Sequence, residues 1–152
     1  APAYTFVGDT DTGVGRAAAD HLSLISAGIE AKTLTSAIVT TSDATLTTCG
    51  SLTLTDNIAY KVKAHVVAVD TTGTPSVKRG CWEFVGCFYR TNAGNATQQG
   101  NTQSLVQIRD EIGSLWDADF AVSGNDVRIR VNGEAGVDVN WKTTIEYMRV
   151  GE

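Results

Sequence analysis

Between Ile58 and Val69 the chain alternates with a period of two. Tyr60, Val62, Ala64, Val66 and Ala68 fall on one side, and Lys61, Lys63 and His65 on the other. Only a β-strand puts successive side chains on opposite faces, so this segment is predicted to lie in a sheet with one face buried. A turn is expected at Asp70-Thr71-Thr72-Gly73-Thr74-Pro75. The next run, Val77 to Arg90, alternates again, with Trp82, Phe84, Gly86 and Phe88 opposite Cys81, Glu83, Val85, Cys87 and Tyr89. Thr91-Asn92-Ala93-Gly94-Asn95 has hairpin-loop composition, and Ala96 to Val106 reads as the returning polar strand.

The last third repeats the pattern. Ala118 to Ser123, a Gly124-Asn125 turn, Asp126 to Val131, a second turn over Asn132 to Gly136 and a final strand from Val137 to Val150 are expected to form a three-stranded meander. Val127, Ile129 and Val131 would face inward, as would Val137, Val139, Trp141, Ile145 and Tyr147. Gln107 to Trp116 has near-helical spacing of Ile108, Ile112 and Leu115, but is too short for a helix and equally fits a 3₁₀ turn or a corner. Residues 31–56 are rich in Thr and Ser with β-branched residues throughout, and are predicted as short strands. The expected fold is therefore all-β: an antiparallel, jelly-roll-like β-sandwich over residues 41–152, preceded by a strand–turn–strand segment over residues 1–40. At 152 residues such a chain can bury one sizeable core.

Charge excludes several functions. The net charge is −5 and the basic residues are scattered, against the basic stripe of a nucleic-acid binder. No apolar run is long enough to cross a bilayer. The opening Ala1-Pro2-Ala3 has neither an initiator Met nor a charged leader, so no signal peptide is expected and the chain is read as starting partway through a longer protein. The three cysteines are Cys49, Cys81 and Cys87; the last two sit six residues apart on one strand, roughly 20 Å along it, too far to bridge. Three free, buried structural thiols in a protein made in a reducing cytosol are expected.

Candidate chemistry is sparse. Asp9-x-Asp11-x-Gly13 could open a calcium loop, but Val14 and Asp20 stand at its sixth and twelfth positions, so the segment from Val7 to Gly13 reads as a polar turn and no metal or cofactor is expected. His21 and His65 have no nucleophile signature near them. Asp110 with Glu111 and Asp117 with Asp119 are close in sequence, but an acidic edge or loop is the common outcome, and no enzymatic activity is expected. Trp82, Trp116, Trp141, Phe84, Phe88, Phe120 and Tyr147 suffice to fill a sandwich core. Tyr89 precedes a loop and strand carrying Asn92, Asn95, Gln98, Gln99 and Asn101; an aromatic among side-chain amides is the composition of a sugar-binding patch, and these six residues are the candidate receptor site.

The segment around Gly8-Asp9-Thr10-Asp11-Thr12-Gly13, within residues 4–30, resembles a GDTDTG-bearing segment of bacteriophage tail fibres. Residues 58–150 resemble the β domain that follows it, through Trp116-Asp117-Ala118-Asp119-Phe120, Val127 to Val131, Gly133-Glu134-Ala135-Gly136 and Val139-Asn140-Trp141 through Glu146-Tyr147. Residues 31–57 match less clearly. The resemblance implies a virion fibre or spike component, assembled in the bacterial cytoplasm and acting outside the cell. It also implies a parallel homotrimer, with Tyr4, Phe6, Leu22, Leu24 and Ile29 as interface candidates. Its partners would be other fibre or tail proteins and a host-surface glycan or protein. Two alternatives stand beside the receptor-binding role: a structural head fibre, decoration protein or trimerisation cap, and the non-catalytic C-terminal module of a capsule-degrading tailspike.

Overall fold

The alternating run becomes the middle of a large antiparallel sheet. In a computed structural model, β6 (Ile58–Asp70) is paired along its length with β7 (Arg79–Arg90) on one side and β11 (Val139–Gly151) on the other. The structure describes residues 4–6, 9–15, 22–26, 29–73, 78–109 and 115–151, with side chains from residue 36 onward except that of Arg109. The remaining strands are β1 (Tyr4–Phe6), β2 (Asp9–Gly15), β3 (Leu22–Ser26), β4 (Ile29–Thr41), β5 (Thr47–Thr53), β8 (Thr97–Arg109), β9 (Asp117–Ser123) and β10 (Asp126–Asn132). Among the described residues one sheet runs β1-β2-β3-β4-β11-β6-β7-β8 and a second runs β5-β10-β9. The fold is an all-β antiparallel sandwich.

The core lies between the sheets and is built by the faces that the alternation marks. Tyr60, Val62, Ala64, Val66 and Ala68 of β6 are buried, with Trp82, Phe84 and Phe88 of β7, Val127, Ile129 and Val131 of β10, and Val139, Trp141, Ile145 and Tyr147 of β11. Aromatic rings join the layers. Phe120 of β9 meets Phe84 and Phe88 edge-on at 4.7 and 5.1 Å, and Trp141 lies 5.4 Å from Trp82 and 5.8 Å from Trp116. The Trp141 indole N–H donates to Thr41 Oγ1 at 2.9 Å, so this buried ring leaves no polar atom unsatisfied.

Gly80-Cys81-Trp82 and Gly86-Cys87-Phe88 share a packing device. In each, the aromatic ring folds back over the glycine two residues earlier on the inner face. A Cβ on Gly86 would stand 2.6 Å from Phe88 Cε2 and 3.3 Å from Phe120 Cδ2.

Several expectations are corrected. The final three strands are not a meander: β9 and β10 pair, but β11 leaves for the larger sheet, between β4 and β6. Strand length explains this. β11 and β6 each span thirteen residues and pair over all of them, whereas β9, β10 and β5 span seven; pairing β11 with β10 would leave half its amides without partners. The connection crosses between sheets over the end of β4, where Gly133 lies too close to Thr41 and Asp43 for any side chain. The meander is instead β6-β7-β8. Asp9–Gly13, expected as part of a turn, lies in strand β2, which pairs with β1 and β3. Residues 31–56 hold one long strand, the thirteen-residue β4, rather than only short ones. Gln107–Arg109 ends β8, and residues 110–114 of the proposed helical or corner segment lie outside the described residues. The thiols are free, but only Cys49 is buried; Cys81 is half-buried and Cys87 exposed, because odd-numbered residues of β7 face away from the core.

Gly86→Ala should destabilise the fold by about 1–3 kcal/mol, since the Phe88 ring is wedged against Phe120 and cannot withdraw. Urea denaturation followed by tryptophan fluorescence measures it; an unchanged midpoint would contradict the packing described.

Candidate functional site

On the outward face of β6, β7 and β8 the pairing register breaks in a way that makes a hollow. Val85 pairs with Gln103 and Cys87 with Gln99, so Gly86 alone faces Gly100, Asn101 and Thr102, two residues too many. The extra backbone is accommodated by Gly100 at φ 71°, a left-handed conformation that costs any residue with a side chain. Two side chains brace the bulge: Gln98 Nε2 donates to Thr102 Oγ1 at 3.1 Å, and Gln103 Nε2 to the Asn101 carbonyl at 3.4 Å. The result is a concavity of about 500 Å³ lined by Lys61, Val85, Cys87, Gln99, Asn101 and Gln103. Each side-chain amide offers two donors and an acceptor, the mixture that a ligand rich in hydroxyl groups requires.

Tyr89 stands one outward step beyond Cys87 on β7, about 7 Å along the strand. It is half-buried and lines a second concavity, of about 420 Å³, with Asn57, Ile58, Arg90, Thr91 and Val150. Beyond it the chain reverses at Asn92 and Ala93, both at positive φ (52° and 56°), with Gly94 N–H donating to the Thr91 carbonyl. The neighbouring β5–β6 turn holds this reversal. Asp56 Oδ2 accepts from Ala93 N–H at 2.7 Å, and Arg90 Nε donates to the Gly94 carbonyl at 2.7 Å.

Of the six residues expected at a receptor site, Gln99 and Asn101 line the first concavity and Tyr89 the second. Asn92 and Asn95 are exposed in the turn, while Gln98 lies on the inward side of β8, bonded to Thr102. The sequence reading missed Lys61, Val85, Cys87 and Gln103. Lys61 reaches the hollow because β6 pairs with β7 at Lys61–Cys87, a register that the Ile58–Val69 alternation allows but does not specify. The trimer-interface candidates fall in β1 (Tyr4, Phe6), β3 (Leu22, Leu24) and β4 (Ile29); their side chains lie outside those described.

Several charged and titratable groups on the outward face lie close together. Lys63 Nζ lies 2.6 Å from Glu83, whose second oxygen is 3.2 Å from His65 Nδ1, and His65 Nε2 is 4.0 Å from Glu146. The hydrogen bond from Lys63 holds the Glu83 carboxyl below its ordinary range, with lesser help from the Lys63 and His65 charges. Across the sandwich, Asp117 and Asp119 have a structural use. Asp117 Oδ1 accepts from Ala118 N–H at 2.9 Å and Asp119 Oδ1 from Phe120 N–H at 2.7 Å, blunting the open edge of β9. Asp110, Glu111 and His21 lie outside the described residues. No cluster of three or more potential metal ligands occurs among the described residues.

No protein-family model matches the chain, and no curated protein matches it. Among solved structures it is similar to the tailspike protein of Acinetobacter baumannii phage AM24, at 8% identity and a TM-score of 0.49 over 78% of this chain and 27% of that one. It is also similar to the tailspike protein of Acinetobacter phage vB_ApiP_P1, at 9% identity and a TM-score of 0.34 over 75% of this chain and 21% of that one. The chain thus spans 27% and 21% of the lengths of the structures it matches.

The face beside the hollow carries a pH dependence. Glu83 is lowered from its ordinary value of 4.5, so its contribution to stability is complete above that value and is lost as pH falls through the lower folded-state value. Asp70, lowered chiefly by the hydroxyl and backbone hydrogen bonds from Thr72, acts in the same direction. Glu83→Gln should therefore be less stable than the parent at pH 7 and show a flatter stability profile between about pH 3 and 5. Thermal melts across that range check both signs.

Proposed function

We propose that this chain is a fibre- or spike-type domain of a bacterial virus that binds a host-surface glycan, non-catalytically, through the hollow beside the β8 bulge. The observation that carries the reading is that hollow: a sheet surface opened by two extra residues and lined by Gln99, Asn101 and Gln103. The virion assignment rests on the sequence resemblance in residues 4–30 and 58–150. Amide–hydroxyl hydrogen bonds contribute about 1 kcal/mol each, so one such site binds weakly. In a homotrimer three sites facing one cell surface would multiply that affinity without any new contact.

Fluorescently labelled protein should stain a subset of bacterial strains in flow cytometry. Periodate oxidation of the cells should abolish staining, while protease treatment should leave it. The Gln99→Ala/Asn101→Ala double variant should bind about thirtyfold more weakly, the loss of two such hydrogen bonds. Staining that survives periodate but not protease would overturn the glycan reading.

One observation favours a purely structural virion role instead. Ile38 (72% exposed), Val67 (57%) and Ile108 (63%) lie in one row across the outward face, with Lys142 and Cys81 between them. Such a row suits a face covered by another chain in an assembly. Light scattering after size exclusion separates the oligomeric expectations: the trimer predicts a species near three times 16.1 kDa that survives tenfold dilution, and a clean monomer contradicts it.

A further inference from the structure

Lys61 differs from Lys63, the next outward lysine of β6, and from Lys78 before β7. Lys63 is held by Glu83 at 2.6 Å, and Lys78, at the β6–β7 end, by Glu134 at 2.8 Å. Lys61 is exposed and forms no ion pair among the described residues, although the chain carries a net charge of −5 and acidic groups are plentiful. The groups facing it are Met148 across β11, Cys87 across β7, and Gln99, Asn101 and Gln103 of β8 beyond. None carries a negative charge; of the nearest carboxylates, Glu83 is bonded by Lys63 at 2.6 Å, and Glu146 lies 4.0 Å from His65 Nε2.

An uncompensated ammonium at the rim of a hollow lined by neutral amides is complementary to a ligand with one negative charge and many hydroxyl groups. We propose that the hollow takes an acidic sugar unit, its carboxylate meeting Lys61 Nζ and its hydroxyl groups meeting Gln99, Asn101 and Gln103. This inference rests on the glycan-binding reading above and adds the class of sugar. A single lysine is a point charge that matches a monoanion. The paired donors of an arginine, which grip phosphate or sulfate through two oxygens, are absent from the lining. Val85 supplies an apolar patch for the C–H face of a pyranose.

The test uses the full chain on an array in which each acidic oligosaccharide is printed beside its carboxyl-reduced counterpart. Binding should favour the acidic member by about tenfold, as one charge-assisted hydrogen bond provides. The preference should shrink as salt rises from about 0.02 to 0.3 M, because the pair is exposed and screened. Lys61→Gln should lose the preference while keeping its binding to the reduced members, and Lys61→Arg should retain it. Both substitutions are at an exposed position, and their melting temperatures should equal the parent's. Equal binding to both members, or a preference that persists in Lys61→Gln, overturns the acidic-sugar inference and leaves the glycan reading standing. Binding to no member of the array overturns both.

Discussion

The pairing of β11 is the constraint on which the rest of the structure depends. Every one of its thirteen residues has a partner in β6, and nine of them also pair with β4. Its inward side chains, Val139, Trp141, Thr143, Ile145 and Tyr147, are all buried and form the floor on which the smaller sheet rests. Backbone amides in such an interior must be hydrogen-bonded, and only a partner of equal length does this for a strand so long. The last strand in the chain therefore closes the centre of the larger sheet, and the short strands β5, β10 and β9 assemble separately as its lid.

From that arrangement the candidate site follows with little freedom. Once β6 is locked beside β11, its Lys61 and Lys63 must face outward, and β7 must place Cys81, Glu83, Val85 and Cys87 beside them. The inner face of β7 is equally constrained, because Trp82 and Phe88 cover Gly80 and Gly86. Strand β8 ends the sheet among the described residues, so it has one side free to bulge. Its two extra residues turn a flat surface into a hollow and spoil the regular edge that another sheet could join. β9 solves the same edge problem differently, with Asp117 and Asp119 bonding their own strand's N–H groups. Asp117 and Asp119, which stand close in sequence, each give one carboxylate oxygen to holding that edge.

Local signals were readable where a single strand carried the whole message. The faces of β6, β7 and β10 were legible because burial on one side of a sheet writes a period of two directly into the residues. Trp82, Trp116, Trp141, Phe84, Phe88 and Phe120 were legible as core from their apolar bulk. The β9–β10–β11 meander was misread because turn residues such as Asn132, Gly133 and Gly136 report that the chain reverses, not which sheet it enters. The contrast between seven- and thirteen-residue strands held that information. Cys87 was misread from the general habit of cysteine to be buried, although its place between Gly86 and Phe88 put it on the outward face.

The candidate site divides in the same way. Tyr89, Asn92, Asn95, Gln98, Gln99 and Asn101 could be picked out as an amide-rich stretch beside an aromatic, since composition is local. What they border could not, because the bulge exists only as a mismatch between two strands, and Lys61 joins it only through a register nearly thirty residues away in sequence. The sequence alone determined an all-β chain, the inward faces of its strands and the chemistry of its turns, all consequences of steric preference and of hydrophobic burial repeated along a strand. Tertiary structure decided which strands became neighbours, where the register slipped and that Lys61, among the described residues, has no ion pair. Those depend on matching whole strands for length and hydrogen bonds, a property of pairs that neither strand carries by itself.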